Sequence, residues 1–279
     1  MNGRRSGRKA RNQHQAVLFR VPGVGWWTAL VVLFILAPLV VVTLIAFTAT
    51  DHLSLPTDGV SLRWFAAILD RPVFIISFLN SIQMAVLASV VSLVLGVMVA
   101  VALVRYDMVG RRAVESVLMS PLFVPVILTG LAILIVAANI GSVSHGVRLF
   151  AGHLVITLPY VVRTVMASLA DFDINQELAA RSLGASPFRA FRVVTLPQIG
   201  PGLFAGGVFA AIVSLDNVGI SLFLQGNEFR VLPVELYAYA TYNNDPLSAA
   251  VSLLLILVSI GGVVVMQRFF GLEKLLRGR

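Results

Sequence analysis

Long apolar runs dominate the chain, and polar residues gather between them. The first uncharged run extends from Val21 to Thr50 and the second from Pro72 to Val104. A third covers Ser116 to Ser144, and a fourth covers about Leu149 to Ala170 with Arg163 inside it. The fifth, about Gly200 to Leu224, contains Asp216, and the sixth runs from Pro246 to Gln267. A helix needs roughly 20 mainly apolar residues to cross about 30 Å of hydrocarbon. Each run meets that length. Spanning β-barrels instead show short alternating segments, and these runs do not alternate. The pattern predicts an all-α polytopic membrane protein with six transmembrane helices. The second run is longer than one crossing needs, so it is expected to tilt or to begin outside the hydrocarbon.

Composition agrees with this pattern. Of 279 residues, 58% are hydrophobic and 12% are charged, against about 25% charged in soluble domains. The net charge of +8 is unevenly placed. Sixteen of the 21 Lys and Arg lie in the leader, between runs two and three, between four and five, and after run six. Four lie in the alternate connections. Basic residues stay on the cytoplasmic side, so both termini are expected there. The division expected is a basic cytoplasmic leader at 1–20, a first transmembrane helix at 21–50, a five-helix core at 72–270 and a cytoplasmic tail at 271–279. The first run far exceeds the apolar core of a signal peptide, so it is expected to stay attached as an anchor. The basic residues are accounted for by topology, and nucleic-acid binding is not expected.

Candidate chemistry is sparse. The chain has no cysteine, which excludes disulfides and thiolate sites. It has no Gly-x-x-x-x-Gly-Lys-Ser/Thr phosphate loop, Gly-x-Ser-x-Gly elbow or His-Glu-x-x-His zinc motif. Catalysis, ATP hydrolysis and a cofactor are not expected of this chain. His153 stands isolated, with no Asp or Glu at ligand spacing, so no metal site is expected.

The segment 171–199 is more than a connector. Asp173 is a helix cap with Gln176 in the reciprocal position. Ile174, Leu178 and Ala179 follow at helical spacing, with Leu183 near that face. Gly184 permits a sharp turn. Ser186-Pro187 starts a second helix with Phe188, Phe191 and Val194 on one face, and Pro197 and Pro201 lead into run five. Two short amphipathic helices of this kind either dock into another protein or lie on lipid headgroups. The arginines at 181, 189 and 192 suit both readings.

Ala179-Ala180-Arg-Ser-Leu-Gly184-Ala185-Ser186, followed by Val194-Thr-Leu196-Pro197, resembles the EAA signature of the permeases of binding-protein-dependent ABC importers. The family's acidic position before the two alanines is Leu178 here, with Glu177 one residue earlier, and Val194 stands where isoleucine is usual. Phe78-Leu-Asn-Ser-Ile82, Ser214-Leu-Asp216-Asn217-Val-Gly-Ile-Ser221-Leu-Phe223 and Leu232-Pro-Val-Glu-Leu-Tyr-Ala-Tyr239 are similar to permeases of spermidine/putrescine importers. Relatives of that group are assigned to iron, thiamine and phosphonate compounds as well.

The resemblance implies a type I ABC importer permease fold in the inner (plasma) membrane of a bacterium. It implies a second homologous permease subunit, around which the first helix would wrap. It also implies a dimeric cytoplasmic ATPase and a periplasmic or lipid-anchored solute-binding protein. By the same resemblance, Glu177, Leu178, Ala179, Ala180, Gly184, Ala185, Ser186, Pro187, Leu196 and Pro197 form the ATPase-coupling segment.

Few polar residues lie within the runs. Asp216 sits 16 positions beyond Gly200, about 24 Å along a helix. An ionised carboxylate at that depth needs a partner or water. It reads either as a path residue that attracts a cationic amine or as a structural group, a helix cap or an interhelix hydrogen bond with Asn217 or a partner chain. Asn80 and Gln83 read as interhelix amides or path residues. Tyr160, after Pro159, marks either a gate or a static kink. Glu228, Glu235 and Asp245 belong to an external connection, as a solvated loop or as contacts for a binding protein.

Overall fold

A computed structural model describes residues 24–53, 55, 59–141 and 143–270. The leader at 1–20 and the tail at 271–279 lie outside the described residues. Apart from two isolated β-bridges, Thr48 with Val60 and Gly226 with Phe229, the described regular structure is helical. The chain divides into two units after Val42. The described part of the first is most of helix α1 (Val24–Ala46), which carries no charged residue and has Pro38 inside it.

The second unit holds the remaining elements. Short α2 (Arg63–Leu69) lies in the first connection, and α3 (Pro72–Arg105) is a single rod of 34 residues. After α4 (Arg111–Met119) and a 3-10 turn over Ser120–Leu122 comes α5 (Val126–Ile140). Then follow α6 (His145–Ala170), α7 (Ile174–Ser182), α8 (Pro187–Ala190), a π turn over Phe191–Thr195 and α9 (Leu196–Gln198). The chain continues through α10 (Gly200–Leu215), α11 (Val218–Leu224), α12 (Leu232–Tyr242) and α13 (Leu247–Phe270).

Among the described residues, four helices are single rods long and apolar enough to cross a membrane: α1, α3, α6 and α13. Six crossings result when two bent pairs each count as one. The third expected span is therefore not one helix. The piece Arg111–Leu122 meets Val126–Ile140 at 109°. Pro121 and Pro125 supply the reason, because proline lacks the N–H that would continue the ladder and constrains the residue before it. The fifth expected span is also divided. It is entered through a 70° bend from the Pro187–Gln198 piece and interrupted again at Asp216 and Asn217.

Helices α3, α6 and α10 form the centre. Ala100, Val161, Val165, Leu169, Ile199 and Ala210 make one buried cluster, and Met84, Leu149, Ile156, Ile220 and Leu224 belong to a second. Helices in membranes associate through small residues that let backbones approach. A Cβ on Gly96 would lie 2.5 Å from Val161 Cγ1, and one on Gly206 would lie 2.6 Å from Thr164 Oγ1. Gly261 and Gly262 in α13 have open space beside them. Both are exposed among the described residues.

Candidate functional site

The hairpin after α6 is built by local chemistry. Asp173 caps α7 by accepting the Asn175 N–H at 3.0 Å. Gln176 does not reach back to the cap as expected; its side-chain oxygen accepts a hydrogen bond from the Gln198 amide and so joins α7 to α9. Helix α7 ends in a Schellman turn. Gly184, at φ +91°, donates to Arg181 O at 3.0 Å, and Ala185 donates to Ala180 O at 3.1 Å. Ser186 then caps α8 by accepting the Arg189 N–H at 3.3 Å, with Pro187 in the first turn.

The apolar side of this hairpin faces outward. Ile174 is 43% exposed, Leu178 47%, Phe188 74% and Leu183 90%. Ala179, Ser186 and Pro197 are also exposed, while Ala180, Ala185 and Leu196 are half-buried. The acidic residue lies on the inside. Glu177 is buried and pairs with Arg105 at the end of α3, with Nη2 to Oε2 at 2.8 Å. The Thr195 hydroxyl donates to the same oxygen and accepts from Arg105 Nη2 at 3.2 Å. Phe172 and Phe191 flank the guanidinium, each with its ring centroid 5.8 Å away. Thr195 closes the π turn, a widened turn of the kind that recurs at functional sites, and it is fully buried facing α7. Burial acts to raise the Glu177 pKa. The hydrogen bonds from Thr195 and Arg105 and the charges of Arg105 and Arg181 outweigh it, so the carboxyl titrates below its ordinary value. Arg105 and Thr195 thus complete a latch between α3, α7 and the π turn. The sequence marks Arg105 only as a topology signal.

The path candidates separate into committed and free groups. Asn80 donates to Arg230 O at 2.9 Å, and neighbouring Ser81 accepts the Leu232 N–H at 2.8 Å, which staples α3 to the start of α12. Asn217 caps α11, with Oδ1 accepting the Ile220 N–H at 2.9 Å. Tyr160 stacks on Phe209 of α10 at 6.0 Å, in a helix that runs unbroken through Pro159. Asp216 is exposed, and its carboxylate makes no hydrogen bond or ion pair among the described residues. Gln83 is exposed as well. His153 is not isolated: both ring nitrogens meet serine hydroxyls, at 2.7 Å to Ser214 and 3.0 Å to Ser221. No group of three or more potential metal ligands occurs among the described residues.

The connection before α13 is ordered by its own contacts. Glu235 pairs with Arg230 at 3.6 Å, and Asp245 caps α13 at the Leu247 N–H, 3.1 Å away. Tyr239 donates to Asp245 Oδ2 at 2.5 Å, with the Arg71 guanidinium 4.9 Å from its ring centroid. Burial, and next the Asp245 carboxylate, push its hydroxyl up to about 12. Glu228, Tyr237 and Tyr242 are left exposed.

Residues 92–272 match the family described as binding-protein-dependent transport system inner membrane component. The chain is 27% identical over 243 residues to the spermidine/putrescine transport system permease protein PotC of Escherichia coli, covering 87% of this chain and 91% of that one. It is 26% identical over 252 residues to the putrescine transport system permease protein PotI of the same organism, covering 86% and 88%. Its fold is similar to that of a chain in a bacterial ABC transporter involved in the import of the acidic polysaccharide alginate. There the TM-score is 0.69 at 14% identity, over 89% of this chain and 95% of that one.

Proposed function

Because the chain belongs to the family of binding-protein-dependent transport system inner membrane components, we propose that it forms half of the solute path of an importer whose cargo is a polyamine such as spermidine or putrescine. It is a multi-pass inner-membrane permease with the ABC-importer fold, a non-catalytic component that works with a separate ATPase. The outward ridge of Ile174, Leu178, Leu183 and Phe188 is the surface that enters the ATPase, on the cytoplasmic side where the basic residues gather. A second permease closes the path, and a solute-binding protein delivers cargo to the opposite face.

One observation supports the cargo assignment above the others. Asp216 offers an exposed, unpartnered carboxylate at a break in span five. A charge at membrane depth persists where it meets water or a counter-ion, and a protonated amine supplies the counter-ion. The similarity to PotC and PotI points the same way.

The test is uptake by the complete transporter in proteoliposomes. Spermidine and putrescine are expected to compete for labelled cargo. Asp216→Asn is expected to assemble normally yet lose uptake, and normal uptake by that variant sinks the cargo role. Uptake of iron, thiamine or a phosphonate without polyamine competition assigns the same machinery another solute. Uptake driven by an ion gradient without ATP makes the protein a secondary transporter instead.

A further inference from the structure

His153 lies within α6 and is 1% exposed. Its ring reaches both halves of the divided fifth span. Nδ1 meets Ser214, in the last turn of α10, and Nε2 meets Ser221, in the middle of the short α11. Both serines are buried, at 3% and 0% exposure. A neutral imidazole carries one N–H and one lone pair, while a serine hydroxyl both donates and accepts. One serine therefore donates to the ring and the other accepts from it, and both contacts are satisfied together.

The two serines bracket residues 215–220, within which the helical ladder is interrupted at Asp216 and Asn217. Across such an interruption the ladder no longer fixes one helix relative to the next. A lateral tie has to do so. Neighbouring packing brings α11 close enough to receive it: a Cβ on Gly152 would lie 2.5 Å from Leu224 Cδ1. The tie also continues inward. Thr157 donates to His153 O at 2.8 Å, and the Thr157 and Ser92 hydroxyls lie 2.7 Å apart, which reaches α3.

We propose that His153 is the positioning residue of this break. It holds α10 and α11 to span four as one body, so that a tilt of α6 is delivered to Asp216. The consequence at Asp216 rests on the polyamine-path reading; the tie itself does not.

The chain has no cysteine, so it adds no background of its own to paired spin labels. Ile212→Cys and Leu222→Cys, at 37% and 43% exposure, flank the break. Their separation is measured in the assembled transporter. His153→Leu fills the site without either hydrogen bond. The expected result is a broadened distance distribution and uptake lowered about tenfold at equal membrane abundance, within the range that disturbing a coupling network produces.

A triple variant, His153→Leu with Ser214→Ala and Ser221→Ala, removes the stranded partners as well, a change close to neutral for stability. It is expected to restore abundance and thermal stability but neither the narrow distribution nor uptake. Recovery of uptake by the triple variant overturns the proposal. So does a distribution in His153→Leu as narrow as that of the native protein. If His153→Leu does not assemble, His153→Gln, which retains one bond, takes its place and is expected to show an intermediate width. A native width for His153→Gln overturns the proposal too. Normal uptake by Asp216→Asn removes the cargo role and leaves the distance measurement to decide on His153 alone.

Discussion

Glu177 is held from within by Arg105 and Thr195, while Leu178 and Ile174 beside it face outward. Replacing Glu177 therefore tests an internal tie. Glu177→Gln leaves Arg105, 20% exposed, without its counter-charge, which costs about 1–3 kcal/mol, less than in a fully buried pair. Glu177→Gln with Arg105→Gln is expected to recover part of that loss, read as the thermal midpoint of the purified transporter. The pH dependence has a definite sign. The folded carboxyl titrates below its ordinary 4.5, so its contribution is complete above that pH. It is lost as pH falls through the lower folded value. The protection factors of the α7 amides, with intrinsic exchange rates divided out, are expected to fall over that interval in the native protein and not in Glu177→Gln. The sequence brings Glu177 to notice through the alanine pair beside it, but its partner is supplied by a distant helix. The same is true of His153, whose serines arrive from α10 and α11. Spacing along a chain reports neighbours on one helix and nothing of a side chain that crosses to another.

The helical hairpin was legible because its signals are local: a capping aspartate, a glycine at the turn, a Ser-Pro start. Gly184 tests the turn directly. Its φ of +91° penalises a side chain by about 1–2 kcal/mol. A transporter carrying Gly184→Ala is expected to assemble normally, but its separate ATPase is expected to hydrolyse ATP with little uptake, a ratio read in proteoliposomes. A normal ratio removes the turn from the coupling route. The broken spans were less legible. Hydropathy counts apolar residues without sensing direction, so Ser116 to Ser144 reads as one crossing although Pro121 and Pro125 turn it. Span five carries no proline at its interruption. The available signal was Asn217, a good cap residue in an apolar run. For packing, Gly206→Leu forces a side chain against Thr164 and Val161. It is expected to lower the thermal midpoint and the membrane abundance, and an unchanged midpoint would show that α6 and α10 separate freely.

On the scale of the whole molecule, the hairpin and the α12 connection must lie on opposite faces of the membrane. Single cysteines at Leu183 and Tyr242, 90% and 87% exposed, report this. An impermeant thiol reagent added outside intact cells is expected to label Tyr242→Cys and not Leu183→Cys. Labelling of both removes the assigned orientation. Helix α5 carries a different demand. Its 15 residues give about 22 Å of rise, short of a hydrocarbon core of about 30 Å. The remaining depth falls to the bend at Pro125 and the stretch at Gly141, where peptide groups lack helical partners. Acyl chains cannot solvate such groups. That flank belongs against water or another polypeptide, and a chain made without its companions carries a defect that a quality-control protease can recognise. Its half-life in the membrane is expected to shorten when the second permease is withheld, as a pulse-chase would record.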